Sequence, residues 1–131
     1  MPWGEFTAVG VGAATGAWLR WWLSIMLNPL FSLLPLGTLT ANLVGGLIMG
    51  VALEGFTRAT NLSPEARLLI TTGFLGGLTT FSTFSGEVTL LLMRREWLWG
   101  AIAIAAHVIG SIALTVLGIF VARALFLWVD G

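Results

Sequence analysis

The stretch GFLGGLTTFSTFSGE, residues 73 to 87, has the residue types with which a protein binds small ions. It holds four glycines and five hydroxyl groups inside an otherwise apolar span. Gly76 and Gly77 offer a place for a helix to unwind, and an unwound helix presents carbonyl oxygens that coordinate a hard cation such as Na⁺. The carbonyls of Gly76 and Thr79, one turn apart, would become four if a dimer axis doubled them. The alternative is a continuous packing helix whose hydroxyls bond back to its own carbonyls.

Phenylalanines and hydroxyls alternate in the second half of this stretch. Phe81 and Phe84 are three residues apart and share a helix face. Ser82 and Ser85 form a second such pair, with Thr83 between them. Aromatic ring edges are electropositive, and each hydroxyl donates one hydrogen bond. The alternation indicates a track for an anion, whereas a phenylalanine pair alone is more typical of lipid contact or core packing.

Polar residues on two other apolar spans could extend this track. The side-chain NH₂ of Asn42 donates two hydrogen bonds and is costly if it is left unpaired in hydrocarbon. It serves either as an anion donor or as a bond between helices. His107, Ser111 and Thr115 recur every four residues on one helix face, which either lines a path or bonds a neighbouring helix.

Three of the charged residues in the apolar spans call for an explanation. Glu87 lies deep in the third span, and an ionisable residue at such depth predicts a functional role. Arg20, within WLRWW, either reaches the membrane interface or attracts anions into a vestibule. Glu54 lies near a span end, where we expect it to face water.

The elements that position these residues are predicted to be membrane helices. The chain of 131 residues is 57% hydrophobic and 9% charged, against about 25% charged in soluble domains. A span needs about 20 apolar residues, and four such spans fit, at about 6–27, 36–56, 66–93 and 97–128. Short connections predict one antiparallel four-helix domain over residues 1–131. We therefore expect an all-α, multi-pass protein of the cell (inner or plasma) membrane, with the third helix broken near its middle.

The arginines are balanced between the two faces of this predicted domain. One face would hold Arg58, Arg67 and Arg123, and the other would hold Arg20, Arg94 and Arg95. Orientation follows the Lys/Arg bias between the faces, so a tie of three against three predicts insertion both ways round. Two oppositely oriented copies would then form an antiparallel, dual-topology homodimer. A fixed orientation is the alternative.

Composition argues against several other functions. The net charge is zero, so nothing suggests nucleic acid as a partner. The absence of cysteine removes disulfides, thiolate metal sites and cysteine nucleophiles. A single histidine and scattered carboxylates give little basis for an enzyme.

Taken together, these motifs resemble the Fluc (CrcB) family of fluoride channels. The resemblance covers nearly the whole chain, through GAWLRW, GTLTANLVGG, GFLGGLTTFSTFSGE and HVIGS with Thr115. It implies a four-helix, dual-topology homodimer with two antiparallel pores, which exports fluoride passively and so relieves its toxicity. It also implies a central structural Na⁺.

The resemblance further implies roles for individual residues. Gly76 and Thr79 match the backbone Na⁺ ligands, Phe81 and Phe84 match a phenylalanine box, and Asn42 matches a donor that meets fluoride. The fluoride pathway predicted in this way comprises Asn42, Phe81, Ser82, Thr83, Phe84, Ser85, Ser111, Thr115, Glu87 and, in a vestibule, Arg20.

Two other functions are consistent with a chain of four spans. A proton-coupled small multidrug exporter of dual topology needs a carboxylate midway along its first span. Here the only acid of that span is Glu5, at its outer edge. A structural subunit without transport activity would need neither the glycine break nor the track of phenylalanines and hydroxyls.

Overall fold

In the computed structural model, which describes residues 2–131, the chain folds into helices joined by short connections. The helices are α1 (Trp3–Leu27), α2 (Leu36–Arg58), α3 (Pro64–Leu68), α4 (Gly76–Leu78), α5 (Phe81–Met93) and α6 (Trp97–Asp130). A 3₁₀ turn, Asn28–Leu30, follows α1, and a π-helical segment, Leu69–Leu75, joins α3 to α4. Residues 2–131 contain no strand, which confirms the predicted all-α class.

Three helical stretches are long and apolar enough to cross a membrane: Leu36–Arg58, Pro64–Met93 and Trp97–Asp130. The chain is thus a multi-pass membrane protein. α1 has the length, since 25 residues span about 37 Å at 1.5 Å per residue. Its hydropathy is lower because four of its residues are glycines and four are tryptophans. The third stretch is interrupted near its middle, as predicted.

Side chains at the connections determine where two of the helices begin. Ser63 caps α3 by accepting a hydrogen bond of 3.2 Å from the backbone N–H of Ala66, and Pro64 occupies the first helical position. The N-terminus of α2 is capped from the preceding turn, because Asn28 Oδ1 accepts from the N–H groups of Gly37 (2.7 Å) and Thr38 (3.2 Å). The short connections are therefore tied to the helices that they join.

The C-terminus of α5 is closed by a left-handed residue. Arg95 has a φ of 62°. The N–H of Glu96 donates to the carbonyl of Leu91 (2.9 Å), and that of Arg95 donates to Leu92 (3.0 Å). These two bonds form a Schellman motif, in which the left-handed position is usually glycine. Arginine is strained in this left-handed conformation. The backbone conformation therefore does not explain why residue 95 is an arginine.

Glycines let the helices approach closely along two seams. In the first, α1 packs on the third stretch, and a Cβ on Gly16 would overlap the carbonyl of Phe74. In the second, α2 packs on α6, and a Cβ on Gly50 would overlap the carbonyl of Thr115. Such small-residue seams are typical of helix pairs in membranes, where close backbone contact replaces hydrophobic attraction.

The buried core is divided into two clusters by the interruption of the third stretch. One cluster contains Ala41, Leu75 and Leu78, and the other contains Phe84, Val88, Leu91 and Ala103. The two extended residues between α4 and α5 therefore lie between two packed regions. Each half of the third stretch is anchored by its own cluster.

Glu54 does not face water, contrary to our expectation. The residue is only 9% exposed, and its carboxylate binds Arg123 at 3.1 Å and Arg58 at 3.3 Å. Arg58 lies one helical turn further along α2, and Arg123 is brought in by α6 across the glycine seam. The pairing neutralises a carboxylate that burial alone would make costly.

Candidate ion-binding site at the helix break

The third stretch is broken at Thr79 and Thr80, and both residues have extended backbones (φ −86°, ψ 154° and φ −150°, ψ 115°). The predicted unwinding at Gly76 and Gly77 is wrong, because Gly76 is helical (φ −63°, ψ −37°) and Gly77 lies inside α4. A Cβ on Gly77 would overlap the backbone of Ala13, so this glycine serves close helix packing. The extended conformation falls instead on two β-branched residues, which favour it.

Asn42 closes the break by pairing with the backbone of Thr80. Its Oδ1 accepts from the Thr80 N–H at 2.7 Å, and its Nδ2 donates to the Thr80 carbonyl at 3.1 Å. The same Nδ2 lies 3.0 Å from Nδ1 of His107. Polar backbone groups at membrane depth must be paired inside the protein, and here one side chain of α2 pairs both groups of Thr80.

The break deprives the two predicted Na⁺ ligands of their helical donors. In a continuous helix the N–H of Thr80 would donate to the carbonyl of Gly76, but it donates to Asn42 instead. Likewise the N–H of Thr83 would donate to the carbonyl of Thr79, but it donates to Thr80 Oγ1 at 3.1 Å. Both carbonyl oxygens are thus released from the helical hydrogen-bond pattern.

The carbonyl of Gly77 has a different partner. Arg20 Nε, from α1, donates to it at 3.0 Å. The guanidinium of Arg20 therefore caps the end of α4, and any action on anions in a vestibule would come from its remaining N–H groups. That action stays a prediction.

These released carbonyls fit a cation such as Na⁺. The ion is hard and prefers oxygen ligands, which are the groups that a broken helix supplies. Residues 2–131 contain no cluster of three or more His, Cys, Asp or Glu side chains that could hold a metal, so main-chain oxygen is the donor type available near the break. The two predicted ligands, Gly76 and Thr79, supply two such oxygens per chain, and a second copy would double them.

A cavity of about 480 Å³ lies beside the break and is open on one side. It brings together residues from α2, the third stretch and α6 that are far apart in sequence. Of the predicted site residues, it is lined by Asn42, Gly76, Thr79, Phe81, Phe84, Ser111 and Thr115. Its other polar lining residues are Thr71, Thr80 and His107.

The two phenylalanines differ in their surroundings. Their rings contact each other edge to face, with centroids 5.5 Å apart and planes at 72°. Phe84 is buried and stacks on the imidazole of His107 at 4.5 Å. Phe81 is 76% exposed. The pair therefore presents the positive edges of two rings. The Phe84 ring is held in place by its neighbours, whereas the Phe81 ring is open to a neighbouring molecule.

The hydroxyls of α6 are not equally available to an ion. Thr115 Oγ1 lies within hydrogen-bond distance of the carbonyls of Gly46 (3.0 Å) and Ser111 (2.9 Å). Because a hydroxyl donates only one proton, that of Thr115 is engaged in this conformation. The Ser111 hydroxyl has no such bond within residues 2–131.

The remaining predicted pathway residues lie outside the cavity lining. Ser82 and Ser85 line a shallow groove on α5, which shares Phe81 with the cavity. Glu87 Oε1 accepts a hydrogen bond of 2.6 Å from Thr38, on the helix that carries Asn42. Thr83 contacts the cap formed by Thr80 Oγ1. The structure thus divides the predicted track between the cavity, the groove on α5, the helix cap at Thr83 and a bond between α5 and α2 at Glu87.

Two residues of the site were missed or left undecided by sequence reasoning. Thr80 supplies the backbone that Asn42 binds, and no pattern in the sequence distinguishes it from Thr79. His107, taken alone, is more typical of a structural residue, and its helix face was left open between lining a path and bonding a neighbouring helix. Its spacing of four from Ser111 was the only signal that could have placed it in the cavity.

The chain matches the family model described as "CrcB-like protein, Camphor Resistance (CrcB)" over residues 7–119. It is 56% identical over 117 residues to a protein of Nitrosospira multiformis, covering 89% of this chain and 91% of that one. It is 55% identical over 118 residues to a protein of Pseudomonas aeruginosa, covering 90% and 93%. Both relatives are named "Fluoride-specific ion channel FluC". The matched region contains the broken stretch, Asn42 and the polar face of α6, and by this extent of similarity the chain belongs to the CrcB family.

Proposed function

We propose that this protein is a fluoride-selective channel that exports fluoride passively across the cytoplasmic membrane and so relieves fluoride toxicity. The observation that carries the proposal is the cavity at the break, which is lined by amide, hydroxyl and ring-edge groups. In the described part of the chain, no carboxylate is among the lining residues. The names of the relatives point to the same ion.

The donor types suit fluoride in particular. Fluoride is small and strongly hydrated, so a path must replace its water shell with hydrogen-bond donors. Ser111 offers a hydroxyl and the phenylalanine pair offers positive ring edges. The two NH₂ protons of Asn42 are engaged by the Thr80 carbonyl and by His107 in this conformation, so Asn42 can donate to the ion only by exchanging one of these partners. A larger anion holds its water less tightly and gains less from such a constricted set of donors.

We propose that the working unit is an antiparallel homodimer. The cavity is open on the side where Gly76 and Phe81 are exposed. A Cβ on Gly76 would meet only the carbonyl of Thr71, at 3.7 Å, so packing inside one chain does not require glycine there. An approaching second copy would require it.

The two-fold axis of this proposed homodimer would also supply the ligands of the proposed Na⁺. Two copies related by a two-fold axis near Gly76 would bring four released carbonyl oxygens together, two from Gly76 and two from Thr79. In this role the ion would neutralise oxygens that lack helical donors and join the two chains. We propose it as a resident structural ion and not as cargo.

Fluoride efflux from liposomes tests the proposed function. Purified protein should release fluoride and retain chloride, without ATP or a proton gradient. Efflux equal to that of protein-free liposomes would exclude the channel. Efflux that requires an imposed proton gradient would favour the alternative of a proton-coupled small multidrug exporter.

Dual topology can be tested by shifting the arginine balance without breaking a described contact. Arg58 and Arg123 bind Glu54, Arg67 binds backbone carbonyls, and Arg20 caps α4. For Arg94 and Arg95, by contrast, the side chains form no hydrogen bond or ion pair with residues 2–131. The double variant Arg94→Ala/Arg95→Gly should lock one orientation, with three arginines against one (3 − 2 = 1). Glycine at position 95 also suits its left-handed backbone.

A second pair of substitutions should lock the chain in the opposite orientation. It adds arginines to the face that carries Arg94 and Arg95, at two exposed residues of the connections. Ser32→Arg/Glu96→Arg should give three against five (3 + 2 = 5). Each locked variant expressed alone should fail to transport fluoride, and the two expressed together should recover transport. Full transport by one locked variant alone would contradict the antiparallel dimer.

A further inference from the structure

His107 is buried in the wall of the cavity. It is the only histidine of the chain, is 4% exposed and lies on α6, one turn before Ser111. Its imidazole stacks on Phe84 with the planes at 29°. Which of its two nitrogens carries a proton determines what the ring can offer to an ion.

The amide of Asn42 has a determined orientation. Its oxygen must face the Thr80 N–H, which can only donate, and its NH₂ must face the Thr80 carbonyl, which can only accept. A flipped amide would place oxygen against oxygen and N–H against N–H. Two backbone contacts on one residue therefore fix which end of Asn42 is which.

This orientation fixes the tautomer of His107. The group that lies 3.0 Å from Nδ1 is the NH₂ of Asn42, so Nδ1 must accept. A neutral imidazole has one donor and one acceptor nitrogen, so the ring proton is on Nε2. An imidazole protonated on Nδ1 would place two donors against each other.

The remaining nitrogen is the unusual one. Nε2 of His107 is buried and has no hydrogen-bond partner among the described residues. Buried polar groups are almost always paired, and an unpaired donor calls for a partner that comes from outside the chain. In a cavity proposed to carry fluoride, that partner is the anion itself.

We propose that the Nε2–H of His107 is a further hydrogen-bond donor to fluoride, at a subsite between Asn42 and Ser111. The inference rests on the proposed function and specifies one of its binding groups. Nε2 has almost no exposed surface in this conformation, so the ion reaches it when the cavity wall around the edge of the imidazole opens. Asn42 holds the ring in the tautomer that makes this donation possible.

Two amide substitutions separate this role from a purely structural one. In His107→Gln the side-chain NH₂ takes the place of Nε2–H, and in His107→Asn the side-chain oxygen takes the place of Nδ1. Glutamine therefore keeps the donor to the ion, whereas asparagine keeps the acceptor for Asn42. Both are similar in polarity and smaller or equal in size, so they form a matched pair.

Fluoride efflux from liposomes should rank the two variants. We expect His107→Gln to stay within about 3-fold of the wild-type rate and His107→Asn to lose roughly 10-fold or more, the range expected for one hydrogen bond to an ion. The reverse order would overturn the proposal, because it would mean that His107 serves to hold Asn42. Wild-type rates in both variants would overturn it as well.

A spectroscopic measurement on the unmodified protein does not depend on whether the variants fold. It tests the proposal in the case where both variants lose fluoride efflux to the same extent. With ¹⁵N-histidine labelling and a purification tag free of histidine, the single imidazole gives one set of resonances. Nε2 should be protonated and Nδ1 unprotonated, and fluoride, unlike chloride, should shift the Nε2–H resonance. A ring protonated on Nδ1, or no response to fluoride, would overturn the proposal. Failure of the proposed function itself would appear separately, as absent fluoride efflux from the wild type.

Discussion

The third helical stretch and α6 both cross the full domain and both line the cavity, yet they are built differently. The third stretch, Pro64–Met93, is interrupted by two extended residues, whereas α6 runs for 34 residues without interruption. The polar groups that the third stretch contributes are those of the backbone at Thr79 and Thr80, and its side chains add the rings of Phe81 and Phe84. α6 contributes the side chains of His107 and Ser111. One site is thus assembled from two kinds of polar group.

The difference shows how a polar site at membrane depth can be stabilised. An unbroken helix pairs its own backbone groups, so it can carry polar side chains without needing outside partners for its backbone. A broken helix needs partners from elsewhere, and Asn42 supplies both partners for Thr80. The site should therefore be far more sensitive to changes at Asn42 than to changes along α6.

The largest expected effect follows from Asn42→Asp. The carboxylate would lose the NH₂ that donates to the Thr80 carbonyl and to His107, and it would place a negative charge in an anion path. We expect fluoride efflux to fall by about 100-fold or more, since a buried charge without a partner costs several kcal/mol. Asn61→Asp, the same change in an exposed loop, is the matched control and should keep the wild-type rate. Unchanged efflux in Asn42→Asp would show that fluoride does not pass the helix break.

Alanine at the two adjacent glycines should separate packing from the break. Gly77→Ala would force a Cβ into the backbone of Ala13 and should destabilise the fold by about 1–3 kcal/mol, measured as a lower thermal unfolding midpoint in detergent. In Gly76→Ala the Cβ makes only an ordinary contact with the Thr71 carbonyl, at 3.7 Å, so this chain should stay folded. It should instead weaken the dimer and abolish any stabilisation of the dimer by Na⁺ over K⁺. Equal behaviour of the two variants would contradict the proposed axis.

Replacing the rings tests the side-chain half of the site. Phe81→Ile and Phe84→Ile keep apolar bulk and remove the ring edge, so each should slow fluoride by roughly 3- to 10-fold, the range expected from aromatic contact energies. Phe31→Ile is the control, because Phe31 pairs with Trp99 at 5.2 Å outside the cavity lining. Rates within error of wild type for both cavity variants would limit the anion contacts to amide and hydroxyl groups.

The smallest effect is expected for Thr79→Ser. The proposed cation contact of Thr79 is its carbonyl, and serine keeps both this group and the hydroxyl that donates to Leu75 at 2.8 Å. Fluoride efflux and dimer stability should change by at most about 4-fold, since one lost methyl contact is worth about 0.8 kcal/mol. A large loss of Na⁺ dependence would show that the side chain, and not the backbone, holds the ion.

Parts of the cavity lining were predictable from residue type and spacing. Asn42 was singled out as a carboxamide in hydrocarbon, and the contact between Phe81 and Phe84 follows from their spacing of three. The position of the break was not predictable from Gly76 and Gly77. Those glycines permit both unwinding and close packing, and only the neighbouring backbone of α1 decides between them.

The other misses have a common cause. Glu54 was expected to face water, but Arg123, 69 positions along the chain, reaches it across the α2–α6 seam. The role of His107 was left open because the tautomer of its imidazole depends on the amide of Asn42, which lies on another helix. In both cases the partner is remote in sequence, and local pattern carries no information about it.

The break also has an electrostatic consequence. Every helix carries a partial negative charge at its C-terminus and a partial positive charge at its N-terminus. At Thr79 and Thr80 the C-terminus of α4 meets the N-terminus of α5, so two extended residues place opposite poles side by side. The guanidinium of Arg20 already lies at the negative pole, 3.0 Å from the Gly77 carbonyl, while Phe81 begins the helix at the positive pole. A single interruption of one helix thus places two regions of opposite electrostatic preference side by side, negative where α4 ends and positive where α5 begins.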